Sequence, residues 1–222
     1  MSKYIIHTMP KRLWYVNEYL IPSMLEQGID KDCIEIFNDD NNMGNLQACL
    51  ECFSQLPKEG STWHLQDDII ISHDFKQVTE IPFDENMIAC GFCSRLYDKE
   101  NSPGVVSPLE MWFSFQCILI PNHMAKECVP WTKEYIIGNP VYKKYWEKGL
   151  NDDWCFRQYI RLNHPDCSII NIKPNIVDHI DWLIGGSVIS ERTQEFRSRY
   201  WNDIYLINEL ERKLKKCHFG QQ

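Results

Sequence analysis

The chain has 222 residues, 44% of them hydrophobic, with eight tryptophans and a formal net charge of −8. That composition is globular and excludes a disordered chain. The acidic total argues against a protein that grips nucleic acid through its overall field, while leaving room for an enzyme with a local basic groove.

Tyr4 to His7 is expected as a short apolar strand ending in the turn Thr8-Met9-Pro10. Lys11 to Glu26 follows with Leu13, Val16, Tyr19, Leu20 and Met24 near helical spacing, kinked or broken at Pro22 and closed by Gly28. Cys33 to Phe37 alternates as a second strand. It runs into the polar stretch Asn38 to Asn45 and then a helix over Leu46 to Leu56.

The next stretch, Trp63-His64-Leu65-Gln66-Asp67-Asp68-Ile69-Ile70-Ile71-Ser72, organises the chain. One strand should end near Leu65, break at the acidic pair, and give way to a second strand over Ile69 to Ile71. Adjacent carboxylates at a buried strand end repel each other and resist desolvation unless solvent, a donor or a cation meets them. A divalent ion shared with substrate phosphates answers that problem; a solvated Asp-Asp turn is the plain alternative.

Strand, helix, strand, polar turn, helix, acidic strand end is the rhythm of a parallel α/β sheet. Ligands of such sheets bind beyond the carboxyl ends of the strands. Three polar clusters fall there: His7 to Met9, Asn38 to Asn45, and Gln66 to Asp68. Each could be a set of ordinary turn formers, and Asn45 could be only an N-cap.

Farther on, Phe75 to Phe83 reads as a connection, Asn86 to Phe92 as a buried strand, and Arg95 to Ser107 as a surface loop. Glu110 to Pro121 is strongly β-prone, His123 to Cys128 a short helix, and Trp131 to Trp146 an aromatic stretch. Asn151 or Asp152 can cap a helix over Trp154 to Leu162, where the dipole keeps a carboxylate ionised, as a cap or a general base. Ile169 to Ile172 is a strand, and Pro174 to Asp181, with His179 between acidic neighbours, a loop. Glu191 to Cys217 is a long helix with Phe196, Tyr200, Ile204, Ile207, Leu210 and Leu214 on one stripe.

The ten cysteines include two CxxC pairs, Cys49/Cys52 and Cys90/Cys93. With no apolar run of about 18 residues and no signal-peptide core in MSKYIIHTMP, a soluble cytoplasmic protein with reduced thiols is expected, without a membrane span. Four-thiolate zinc is the alternative use of the pairs. Cys49 and Cys52 sit at three-residue spacing on an amphipathic helix, where small buried thiols are ordinary core.

In order and context these motifs resemble the GT-A glycosyltransferases, which move a sugar from a nucleotide donor, over roughly residues 4 to 190. Leu65-Gln66-Asp67-Asp68-Ile69 looks like the family's DxD-type motif with Gln66 in place of the first acid, which moves metal contact to Asp68, with Asp67 nearby. Asn42-Met43-Gly44-Asn45 is similar to the segment opening the second helix, and Val177-Asp178-His179 to the late histidine that completes the metal shell. The resemblance implies a Rossmann-like GT-A fold: a mostly parallel central sheet flanked by helices in residues 1–190, with a long C-terminal helix over 191–222 packing on the domain or a partner. It implies Mn2+ or Mg2+ on Asp68 and His179. His7, Thr8, Met9, Arg12, Asp39, Asp40, Asn42, Gly44, Asn45, Gln66 and Asp67 then face the nucleotide sugar. Asn151-Asp152-Asp153 resembles the acidic motif that supplies the base of inverting members, Asp153 first and Asp152 second. Short chains with a Leu-Gln-Asp-Asp block also resemble phage-encoded proteins, which would act in the host cytoplasm.

The chemistry implied is metal-dependent transfer of a sugar from a nucleotide-diphosphate donor to a hydroxyl. The acceptor would be a saccharide, or a base of hydroxymethylated DNA if the chain is phage-encoded. A cation would stabilise the departing diphosphate, and a carboxylate would take the acceptor proton. A nucleotidyltransferase acting on triphosphates and a non-enzymatic module with zinc on Cys49, Cys52, Cys90 and Cys93 are the alternatives.

Overall fold

The computed structural model describes residues 2–92, 105–107, 115–142, 152–185, 208–210 and 212. Strand β1 (Lys3–Thr8) lies between β2 (Ile34–Asn38) and β3 (Ser61–Gln66), parallel to both. Helix α1 (residues 13–26) connects β1 to β2, and α2 (Asn45–Gln55) connects β2 to β3. The two crossovers move in opposite directions along the sheet, so right-handed connections put their helices on opposite faces. The side chains follow. Tyr4, Ile6, Trp63 and Leu65 bury against Tyr15, Val16, Leu20 and Met24 of α1. Ile5, one residue out of phase, buries with Leu46, Leu50 and Phe53 of α2. A sheet covered on both faces explains the nearly unbroken apolar run of β1.

The full order is β2-β1-β3-β7-β5-β8-β6. Here β5 is Met87–Cys90, β6 Val105–Ser107, β7 Cys117–Pro121 and β8 Ser168–Asn171. Strand β7 runs antiparallel to both β3 and β5, β8 is parallel to β5, and β6 is antiparallel to β8. Strands β1, β2, β3, β5 and β8 therefore share one direction. The sheet is mostly parallel and flanked by helices, as expected. The reversed strand in its middle is a feature no local pattern announced.

Helix α1 passes Pro22 without breaking. Its α-helical turn Leu13–Tyr15 widens into a π-helical stretch, Val16–Leu20, before the α-helix Ile21–Glu26. Pro22 then sits in the first turn of that last segment, where a backbone donor is dispensable. Helix α4 (residues 122–137) joins Asn122–Trp131, which contains Pro130, to a π-helical Thr132–Ile137 in a similar way. The connection at 75–83 includes the short helix α3 (Phe75–Thr79), and α5 is Asp152–Asn163.

The segment expected as a loop over Pro174 to Asp181 is in fact partly a strand. Residues Val177–His179 form β9, which pairs antiparallel with β4 (Ile69–Ile71) in a second, two-stranded sheet, Ile69 opposite His179. Short helix α6 (Asp181–Ile184) follows. Of the segment expected as a long C-terminal helix, residues 208–210 and 212 are helical and Leu210 is buried with the α1-side core. The rest of that expected helix and most of the segment 95–107, expected as a loop, lie outside the described residues.

Candidate active site

Strands β1 and β3 lead their crossovers away in opposite directions, which opens a crevice at their carboxyl ends. His7 is in register with Gln66, so Thr8 and Asp67 meet just beyond the last pair. Thr8 Oγ1 donates to Asp67 Oδ2 at 2.8 Å, and the Met9 backbone N–H to the same oxygen at 3.3 Å. The Met9 carbonyl accepts from the backbone N–H groups of Arg12 (2.9 Å) and Leu13 (3.1 Å), a tight turn that folds Arg12 back over the strand ends.

Arg12 Nη1 then donates to both Asp67 Oδ1 and Asp68 Oδ2, at 2.8 Å each, and its Nε to the Gly185 carbonyl at 3.0 Å. All three side chains are largely buried. Asp68 Oδ2 also lies 3.1 Å from His179 Nε2, while its Oδ1 is buried with no hydrogen-bond partner among the described residues. Pairing of β9 with β4 carries His179 there, fixed by the Ile180 N–H donating to the Asp68 carbonyl at 2.8 Å. His179 Nδ1 lies 3.5 Å from Asp181 Oδ1. Asp68, His179 and Asp181 each offer a ligand atom within 4.8 Å of the others. Tyr15 braces the centre from α1, donating to the Ile69 carbonyl at 2.7 Å.

The electrostatics separate the two aspartates. Burial works against ionisation of Asp68, but His179 and Arg12 outweigh it and hold the carboxyl below the usual range. Burial and the neighbouring Asp68 push Asp67 upward, against Arg12 and Thr8. Asp67 is thus engaged on both oxygens, whereas Asp68 Oδ1 has no hydrogen-bond partner among the described residues. His7 packs its ring on Phe37 and His64, and burial lowers it to about 4, so it is neutral at pH 7.

The polar turn after β2 extends the crevice. Asp39 donates its backbone N–H to the Thr8 carbonyl at 2.8 Å, and its Oδ1 accepts from the Met43 N–H at 3.0 Å. Asp40 Oδ1 accepts from Asn38 Nδ2 at 2.6 Å. Asn42 and Gly44 have φ of 51° and 86°, and Gly44 precedes the first residue of α2. The buried Asp39 therefore shapes this loop from within, leaving Asp40, Asn42, Gly44 and Asn45 exposed. Half-buried Gln66 donates its backbone N–H to the Gln116 carbonyl at 3.0 Å.

Asn45 reaches across from α2 to the start of α5, its Nδ2 donating to Asp152 Oδ1 at 2.8 Å. The second Asp152 oxygen is buried without a hydrogen-bond partner among the described residues, and burial with the adjacent Asp153 raises this carboxyl to about 7. Asp153 is half-buried, and its Oδ1 accepts from the Trp154 N–H at 2.6 Å. One connected network thus holds Thr8, Met9, Arg12, Asp67, Asp68 and His179. A second pairing, Asn45 with Asp152, is joined to it through the loop that Asp39 shapes.

Sequence reasoning did not single out Asp181 or Tyr15. The signal for Asp181 was the alternation Asp178-His179-Ile180-Asp181, which places acid on either side of the histidine. Arg12, expected to face a nucleotide, is turned inward onto the acidic pair. Cys49, Cys52 and Cys90 are buried in the apolar core on the α2 side, and burial raises the Cys49 and Cys52 thiols, which disfavours the thiolates a zinc ion needs. Cys93 lies outside the described residues.

No protein-family model matches the chain, and no curated protein does. Two solved structures of the glycosyltransferase GlyE from Streptococcus pneumoniae TIGR4 are similar to it. The apo form has 13% identity and a TM-score of 0.46 over 76% of this chain and 45% of that one. The other has 10% identity and a TM-score of 0.41 over 78% and 46%. The chain spans less than half the length of either neighbour. Among the described residues, no helix is long and apolar enough to cross a membrane.

Proposed function

We propose that the chain is a metal-dependent glycosyltransferase of the GT-A type, moving a sugar from a nucleotide-diphosphate donor to an acceptor hydroxyl. The observation that carries this reading is the meeting of Asp68 and His179, from distant parts of the sequence, at 3.1 Å just beyond the carboxyl end of β3. The site fits a divalent cation: Asp68 Oδ1 is a buried oxygen lacking a partner among the described residues, and Asp181 stands beside His179. A carboxylate, an imidazole and the phosphate oxygens of a substrate suit Mn2+ or Mg2+. When bound, the ion would act as a Lewis acid on the departing diphosphate.

The chain's own residues supply the rest. Asp68 and His179 would hold the ion, with Asp181 orienting the imidazole as second carboxylates commonly do. Asp39, Asp40, Asn42 and Gly44 line the side where a nucleotide would lie, with neutral His7, Thr8, Met9, Gln66 and Asp67 forming the floor. Asp153, half-buried at the start of α5, would take the acceptor proton, and displacement would then invert the anomeric centre. Asn45 and Asp152 would fix the first turn of α5 at that position. The acceptor would be a saccharide, with hydroxymethylated DNA the second candidate.

The test is incubation of the protein with Mn2+ and a panel of UDP- and GDP-sugars, with nucleoside triphosphates as the parallel arm. Release of UDP or GDP, abolished by Asp68→Ala, is expected. Pyrophosphate release from triphosphates alone would replace this reading with nucleotidyl transfer.

A further inference from the structure

We propose that Arg12 is the resident counter-cation of the acidic centre. It neutralises the Asp67–Asp68 pair before any metal arrives, holds Asp68 Oδ2, and so directs an incoming ion to Oδ1. The inference rests on the metal reading above and goes beyond it, since it assigns Arg12 a positioning role and removes it from the nucleotide.

The geometry has three parts. Arg12 is buried, and its Nη1 bridges one oxygen of each aspartate at 2.8 Å. Asp67 spends its other oxygen on Thr8 and Met9, so it is engaged throughout. Asp68 shares Oδ2 between Arg12 and His179 and leaves Oδ1 buried and, among the described residues, unsatisfied. An unsatisfied oxygen beside a fully satisfied one is costly unless something fills the place. The Nε bond to the Gly185 carbonyl locks the guanidinium from the side of α6, so it cannot swing out toward a ligand without breaking three contacts.

A fixed positive charge touching a metal ligand works against the ion electrostatically. It also keeps the paired carboxylates tolerable in a buried place. Two consequences separate this role from a purely structural ion pair. Without the guanidinium, a divalent ion should bind more tightly, being the only cation left to the pair. The fold of such a variant should also lean on the ion more than the natural fold does, because binding to the native state alone adds stability by mass action.

The experiment is Mn2+ titration followed by electron paramagnetic resonance, with thermal unfolding in EDTA and in saturating Mn2+. It compares the natural protein, Arg12→Met and Arg12→Lys. Arg12→Met should bind Mn2+ at least about tenfold more tightly and gain more in melting temperature from Mn2+ than the natural protein does. Arg12→Lys, which restores the charge, should bind within about threefold of the natural protein. If Arg12→Met does not fold in EDTA, Mn2+ should restore its circular dichroism spectrum. Unchanged or weaker Mn2+ binding by Arg12→Met, an Arg12→Lys variant that binds like Arg12→Met, or a variant that stays unfolded in Mn2+ would overturn the proposal while leaving the metal site standing. Absence of Mn2+ binding in the natural protein would instead overturn the metal reading and this inference with it.

Discussion

At the scale of single residues, two buried carboxyls behave in opposite ways for one reason. Asp68 has cationic and donor neighbours that outweigh burial, so its charge is kept; Asp152 has backbone donors and the Asn45 amide but no cation, and burial with a second acid beside it outweighs them. The Asp152 shift makes a pH prediction. Its carboxyl titrates near 7 folded and near 3.8 unfolded, so between these values the folded chain holds the extra proton. Stability should therefore fall as pH rises through that window, by up to about 4 kcal/mol at pH 8. Asp152→Asn keeps the bond from Asn45 and removes the charge. Its urea midpoint should match the natural protein near pH 4 and exceed it increasingly toward pH 8; a constant offset across that range would refute the assignment. Asp181→Asn tests the orientation of His179. Mn2+ affinity should drop by about 10- to 100-fold with little change in melting temperature, and an unaltered Mn2+ affinity would leave Asp181 no part in the centre.

At the scale of elements, the site depends on how short pieces of chain cross one another. Segment 172–176 passes tightly over the end of β5: the Ile176 N–H donates to the Gly91 carbonyl at 3.0 Å, and the Gly91 N–H to the Cys117 carbonyl at 2.8 Å. A Cβ on Gly91 would come within 2.6 Å of Cys117 Sγ and 2.8 Å of Ile176 Cγ1. Gly91→Ala should cost about 1–3 kcal/mol in chemical denaturation. Because residue 176 leads directly into β9, the variant should also weaken Mn2+ binding; full stability with full binding would show that the crossing has slack. Gly44 is a different case. Nothing lies within 4 Å of its would-be Cβ, so its cost on substitution comes from a φ of 86° alone. Gly44→Ala should destabilise by about 1–2 kcal/mol while leaving the core untouched, and calorimetry showing no loss would contradict it.

At the scale of the whole molecule, what could be read in the sequence was whatever is written locally. The apolar runs of β1 and β3, the helical spacing of α1 and α2, and the polar residues at strand ends specify a covered parallel sheet and the end where ligands bind. That is why Thr8, Asp67 and Asp68 could be named as candidates without coordinates, whereas His179 was named through the resemblance to the GT-A glycosyltransferases. Strand β7 inserted in reverse between β3 and β5, and the pairing of β4 with β9, depend on contacts between distant segments. A three-residue strand such as Val177–His179 carries too few side chains to show a period. The contacts of Arg12 were hidden for a related reason. Its neighbours in sequence point to the crevice, but the turn at Met9 and the bond to Gly185 decide where its guanidinium goes.

The proposed function requires a divalent ion that shares Asp68 with His179 beside a bound nucleotide, and one measurement reaches it directly. Mn2+ titration by electron paramagnetic resonance, with and without UDP or GDP, compares the natural protein with His179→Ala. A single saturable site tightened by one of the nucleotides, and weakened at least about 100-fold in the variant, is the result expected. Equal Mn2+ binding by both proteins, indifferent to either nucleotide, would contradict it.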